Sequence, residues 1–461
     1  MSARTAFASM RARFAPVGAG CPRVALSIAA LLALVGAAVA ARAALPIQHW
    51  QTDKGAQVYF VENHDLPMLD LSVAFAAGSS RDRADQSGLA GLTVNMMRLG
   101  AGGLSDDDIS RGFADVGAVI DTRFDRDMAG FGLRTLSAPP ERRRALEVLA
   151  KVLQQPEFPE PVLEREKARL LARLKEADTQ PESMADKAFY AALYGGHPYG
   201  LPPEGEVATV GGLKRQDLAD FYRTHYSAAN AVIAMIGDIT RADAEAVARQ
   251  LSERLPPGPA PAPLPPVPEL TQAQVRYLPH PASQSHILLG APGMRRGDPD
   301  YFPLLVGNYV LGGGGFDSRL TKEVREKRGL AYSAYSYFLP LAQDGPFQIG
   351  LQTKKAQTGQ AIEIVRKVLG DFVAEGPTAA ELQQAKDNLV GGFPLRIDSN
   401  KKIIEYLTVI GFYRLPLSYL DDFTSNVAKV TLADVKDAFR RRVHPDLIDL
   451  VVVGPAAAGE P

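Results

Sequence analysis

Residues 256–268 read PPGPAPAPLPPVP, and this run constrains the fold of the chain more than its composition does. Proline lacks the amide proton that helix and sheet interiors require, so the segment favours extended polyproline II geometry and reads as a stiff linker. A recognition motif for a proline-binding domain is the other reading of such a run. As a linker it divides a chain of 461 residues, too long for a single core, into two stretches.

The order of elements repeats on either side. Upstream, Gln57 to Glu62 and Leu69 to Ala77 read as strands, and Gly88 to Leu99 as a buried helix. Ser105 caps a second helix. Strand-like pieces at Val119 to Arg123 and Met128 to Thr135 precede helices at Pro140 to Gln154, Pro161 to Ala177, Ser183 to Tyr194 and Lys214 to His225. A buried strand, Ala231 to Gly237, and a last helix follow. Downstream, Val275 to Leu278 and His286 to Gly290 are strands and Tyr301 to Leu311 an apolar helix. A helix and strand then lead to the strand Pro346 to Thr353, four more helices, and a closing strand at Asp449 to Val453. This is an internal duplication with a period of about 210 residues. The fold class expected is α+β: two homologous mixed α/β-sandwich domains, 44–255 and 269–455, hinged by the 256–268 linker around a cleft.

Residues 1–43 read as a secretory signal, with a basic start and a nearly unbroken apolar run from Val24 to Ala40 that ends in small residues. Retention as an uncleaved anchor is the competing reading. The single cysteine, Cys21, falls in this segment, so the mature chain has no disulfide. A periplasmic protein is expected, without membrane attachment once the signal is removed. A formal net charge of −1 gives no reason to expect a nucleic-acid partner.

The stretch GGGGFDSRLTKEVREKRGLAYSAYSYF, Gly312 to Phe338, holds the residues with most chemical interest. Asp317 or Ser318 caps a helix from Arg319 to Arg328, Gly329 stops it, and a strand begins at Leu330. Arg325 on the last turn and Tyr332 at the strand entry then converge, offering donors suited to a carbonyl oxygen of an extended peptide. The plainer reading makes Arg325 a partner of the helix dipole and Tyr332 a strand residue. The glycines invite a phosphate-loop reading, but the G-x-x-x-x-G-K-[ST] order is missing. The strand Leu69 to Ala77 is either a sheet edge open to an added peptide strand or an ordinary sheet member.

Three segments carry a family resemblance: GSSRDRADQSGLAGLTVNMM, YGGHPYGLPPEGEVATVGGLKRQDLADFYRTHYSAANAVIAMIGD and LGGGGFDSRLTKEVREKRGLAYSAYSYF. They resemble the insulinase/pitrilysin family of zinc metallopeptidases, in its short two-domain form related to mitochondrial processing peptidase. That resemblance implies an inverted zinc motif, H-x-x-E-H, with a distant glutamate as further ligand. Here the histidine positions hold Gly91 and Asn95, the general-base position holds Val94, and the distant ligand falls at Ala172 or Arg173. Independently of the family, no two of the seven histidines lie three to five residues apart, so no local ligand pair exists.

The family's Arg–Tyr pair, which holds substrate backbone, matches Arg325 and Tyr332. The loop Tyr194 to Tyr199 matches a family loop with a structural role. The resemblance therefore implies a non-catalytic, substrate-gripping subunit with no metal of its own. A homologous H-x-x-E-H subunit would form the heterodimer and carry zinc, and the ligand would be a peptide. A catalytically dead scaffold or a stand-alone peptide-binding protein is the alternative.

Overall fold

The computed structural model describes residues 46–455. The signal segment expected over 1–43, with Cys21, lies outside the described residues. Among the described residues, no helix is long and apolar enough to cross a membrane.

Two sheets form the frame. The first contains β1 (Gln48–Gln51), β2 (Gln57–Glu62), β3 (Met68–Phe75), β4 (Val119–Phe124), β5 (Ala129–Leu136) and β6 (Ala231–Gly237). Its strand order is β1-β2-β6-β3-β5-β4. The second contains β7 (Val275–Pro279), β8 (Gln284–Met294), β9 (Ala331–Phe338), β10 (Gly345–Lys354) and β11 (Asp449–Gly454), in the order β9-β10-β8-β11-β7. Read from the other edge, the second sheet is β7-β11-β8-β10-β9, which repeats β2-β6-β3-β5-β4 of the first. The one parallel pairing in each sheet, β2 with β6 and β7 with β11, also corresponds. The expected α+β duplication is therefore present in strand topology.

β3 is not a sheet edge. It pairs along its length with β5 on one side and β6 on the other, so both rows of its backbone groups are taken. The outer strands of the two halves at corresponding positions are β4 and β9.

Each sheet has an apolar face that its own half leaves uncovered, and the halves exchange helices to bury both. Helix Pro181–Tyr194, from the first half, lays Ala185, Phe189, Tyr190 and Leu193 on Leu288, Val451 and Val453 of the second sheet. Helix Asn400–Phe412, from the second half, lays Ile403, Ile404 and Leu407 on Val61, Ala234 and Ile236 of the first. The proline run is likewise bonded to its surroundings. Polyproline II geometry leaves carbonyls unpaired. Ser227, Arg81, Gln343 and His197 donate to the carbonyls of Pro259, Ala262, Leu264 and Pro265, and Leu264 is buried. The stiff linker expected from its composition is thus a strap fastened to both halves.

A buried carboxylate ties the halves at one further point. Asp127, in the β4–β5 turn, accepts from the Tyr199 hydroxyl at 2.6 Å, the Tyr413 hydroxyl at 2.9 Å and the Ala342 amide at 2.7 Å. Tyr199 belongs to the loop for which a structural role is expected.

Candidate functional site

In the second half, helix and strand meet as the spacing of Arg325 and Tyr332 requires. Ser318 is extended, and its hydroxyl lies at the start of the helical stretch, 3.4 Å from the Thr321 amide. The helix begins at Arg319, and from Thr321 to Glu326 it is wound more widely than an α-helix, with the Lys327 amide donating to Lys322 O at 3.0 Å. The helical winding ends at Glu326, two residues short of Arg328. Gly329, at φ +59°, takes the left-handed conformation and turns the chain into β9.

This geometry brings Arg325 and Tyr332 together. The Arg325 guanidinium carbon lies 4.7 Å from the Tyr332 ring centroid and 4.8 Å from that of Phe316, so the cation is held between two rings. No carboxylate among the described residues pairs with Arg325. Its neighbours Lys327 and Arg328 both bind Glu323 instead. Tyr332 is 83% exposed and Phe316 64%, a high exposure for aromatic rings. Phe316 was not singled out from the sequence; an aromatic directly after four glycines is the signal that marks it.

The glycine-rich turn is needed at close quarters. A Cβ on Gly312 would stand 2.4 Å from Ser336 Oγ, so only glycine lets this turn lie against β9. Asn308 Nδ2 donates to Ser336 O at 3.0 Å and Thr321 Oγ1 to Ala334 O at 3.3 Å. Two carbonyls of β9, those of Ala334 and Ser336, are thereby occupied. Between the halves, a cleft of about 780 Å³ runs from helix Pro181–Tyr194 to β9 and includes Tyr332 and Tyr335. Asp178, Glu182, Asp186 and Glu204 line it, with Arg126 and Lys187 as the cations. Burial pushes the Asp186 carboxyl up, and Arg126 stacks on Tyr190 at 3.5 Å.

In the first half, helix Leu89–Met97 carries the degenerate motif. The Asp82 carboxylate accepts from the Gly88 and Ala90 amides at its start, and burial pushes this carboxyl up to about 7. Val94 is fully buried in the apolar core. The Phe124 ring lies 3.1 Å from where a Gly91 Cβ would stand, and Asn95 Nδ2 donates to Gly91 O at 2.9 Å.

Gly91 and Asn95 line a cavity of about 500 Å³ together with Arg169 and Arg173. Of the two positions expected for the distant ligand, Arg173 lines this cavity, and Ala172 is not among its lining residues. Glu166 also lines it, but binds Arg165 at 2.9 Å and Arg169 at 2.8 Å. Asp106, Asp107 and Glu204 line the cavity too, but a glycine, a carboxamide and a guanidinium at the ligand positions do not make a zinc site. Among the described residues, no group of three or more His, Cys, Asp or Glu is placed to hold a metal ion.

A duplicated metallopeptidase-like frame, an Arg–Tyr pair in one half and a donor set unfit for metal in the other define the class. Residues 58–206 match the insulinase domain (peptidase family M16), and residues 212–389 match the peptidase M16 inactive domain. The chain belongs to the insulinase (M16) family. It is similar to an uncharacterised zinc protease of Streptomyces coelicolor, 29% identical over 68% of this chain and 69% of that protein. It is similar also to the Helicobacter pylori protein named non-peptidase homolog YmxG, 26% identical over 85% of this chain and 90% of that protein. Among solved structures, the peptidase M16 inactive domain from Pseudomonas fluorescens superposes with a TM-score of 0.87 at 40% identity, covering 90% of this chain and 100% of that one.

Proposed function

We propose that this chain is the non-catalytic, substrate-binding subunit of a heterodimeric zinc metallopeptidase, exported to the periplasm. One observation carries the reading: a half-buried Arg325 stands against an exposed Tyr332, while the positions of the metal ligands hold residues that cannot bind zinc. A match to an inactive domain and a relative named a non-peptidase homologue support catalytic inactivity.

In the complex, a homologous H-x-x-E-H subunit would hold the zinc and supply the activated water for hydrolysis. This chain's part is positional. The N–H groups of Arg325 and the hydroxyl of Tyr332 hydrogen-bond backbone carbonyls, fixing the scissile bond and facing charge as it develops there. The rings of Phe316 and Tyr332 hold the guanidinium in place without using its donors in hydrogen bonds. A pure scaffold has no need of an exposed tyrosine held over an arginine that no carboxylate pairs with, which favours the gripping subunit over that alternative.

The test is to express the chain with a zinc-motif homologue encoded beside it and measure peptide turnover. Arg325→Ala and Tyr332→Ala are each expected to lower turnover about 100-fold or more, the scale of losing a donor to a developing oxyanion. Wild-type turnover in both variants disposes of the reading.

A further inference from the structure

Strand β9 separates two grooves of unlike charge that meet at Ser333 and Tyr335. The cleft on one side is lined by four carboxylates and two cationic side chains. The groove on the other side, about 640 Å³ and bounded by Gly312, Gly313, Gly315 and Phe316, is lined by Arg296 and Arg325 and by no carboxylate. Tyr301, Tyr337 and Phe338 give it aromatic walls.

The state of Arg296 is the informative detail. Its Nε is shut off from solvent and has no hydrogen-bond partner, and its guanidinium carbon lies 5.4 Å from the Tyr413 ring centroid. The acids nearest in the chain do not satisfy it. Asp298 is held by Arg442 at 2.8 Å, and Asp300 by Arg441 at 2.7 Å and Arg442 at 2.8 Å. Arg325 likewise lacks a carboxylate partner among the described residues. With no acid on it among the described residues, Arg296 leaves a guanidinium fork for a group entering the groove, and a carboxylate is the ligand such a fork binds best.

We propose that the groove beneath the glycine-rich turn is a subsite for a carboxylate of the bound peptide, with Arg296 as the residue that selects it. The subsite rests on the peptide-gripping reading and adds a preference to it. Arg325 serves the peptide backbone at the mouth of the groove, and Arg296 reads the anion deeper in. The carboxylate belongs either to an acidic side chain or to the peptide C-terminus.

Equilibrium binding of short fluorescent peptides to the full chain separates these sources. One set carries a single glutamate, or glutamine, at each position in turn, with an amidated C-terminus. A second set is neutral in its side chains and ends in a free acid or an amide. The wild-type chain is expected to prefer the anionic member of one set about tenfold, the weight of one charge-assisted hydrogen bond. A glutamate preference identifies the side chain, and a free-acid preference identifies the terminus.

Arg296→Gln is expected to reduce that preference to about twofold or less, with the affinity for neutral peptides kept. If this variant fails to fold, Arg296→Lys keeps the charge without the fork and is expected to show a reduced preference. Equal binding of charged and neutral peptides by the wild-type chain, or an undiminished preference in the Arg296 variant, overturns the subsite alone. Failure of every peptide to bind overturns the subsite, while the gripping reading itself stands or falls on the turnover of the Arg325 and Tyr332 variants with the zinc-motif subunit present.

Discussion

The two halves of this molecule have the same strand topology and carry unlike side chains at their candidate sites. In both, the order of five strands and the place of the one parallel pair agree. In the first half, the helix after β3 carries Gly91, Val94 and Asn95, and Arg173 lines the cavity beside it. In the second half, the outer strand is roofed by a glycine-rich turn and bears Tyr332, with Arg325 beside it. The frame is held by cores that tolerate little change, and the helix exchange makes each core depend on the other half. Site residues are under no such constraint, so one half can lose its chemistry while the shared frame stays intact.

The contrast is open to attack through substitution at the two sites. With a zinc-bearing partner present, Arg325→Ala is expected to cost about 100-fold in turnover. Asn95→Ala, at the degenerate site, is expected to stay within about twofold, because no step depends on it. A large loss from Asn95→Ala would mean that the first half still acts in the chemistry.

The helix exchange predicts that the halves do not unfold independently. Phe189→Ala and Leu407→Ala remove fully buried side chains that cover the other half's sheet. Each is expected to destabilise by about 2–5 kcal/mol and to lower one common transition in calorimetry. Two separated transitions would contradict the exchange. Asp127→Ala orphans two tyrosine hydroxyls and a backbone amide, and about 3 kcal/mol is expected, with faster amide exchange around residue 342.

A smaller effect concerns pH. Asp82 and Asp125 are pushed up by burial to about 7 and about 6, above their unfolded values, so the folded chain binds protons more tightly there. Their contribution is complete below about pH 4 and is lost as pH rises through about 6 and 7. Glu381, hydrogen-bonded by Arg319, is instead depressed to about 2, and its contribution disappears as pH falls from about 4.5 towards 2. Thermal stability is expected to peak on the acid side of neutrality and to decline between pH 5 and 7 by less in Asp82→Asn, which keeps an acceptor for Gly88 or Ala90. The smallest effect is that of Gly91→Ala, about 1 kcal/mol from crowding the Phe124 ring.

Much of the frame was readable in the sequence, because strands and helices follow local periodicity and the repeat of their order needs no three-dimensional information. The Arg325–Tyr332 juxtaposition was readable too, since Gly329 fixes how the helix gives way to the strand. What local pattern could not say was which sheet each apolar helix covers. Phe189 lies on the helix expected from Ser183 to Tyr194, but its partner strands, β8 and β11, begin about 100 and 260 residues further along the chain. For the same reason β3 was open to reading as an edge, since β6 reaches its side only through a long connection. The choice between Ala172 and Arg173 turned on one step of helical phase, which charge density alone leaves open. Arg296 and Asp127 gave no signal, because their roles arise from groups distant in sequence.

The central claim is that this chain grips peptide and does not hydrolyse it. The most direct measurement is elemental analysis of the purified chain, alone and after incubation with zinc and removal of the excess, paired with a peptide-cleavage assay on the same samples. The account predicts zinc far below one equivalent and no cleavage until a zinc-motif subunit is added. One equivalent of retained zinc together with cleavage by the chain alone would contradict it.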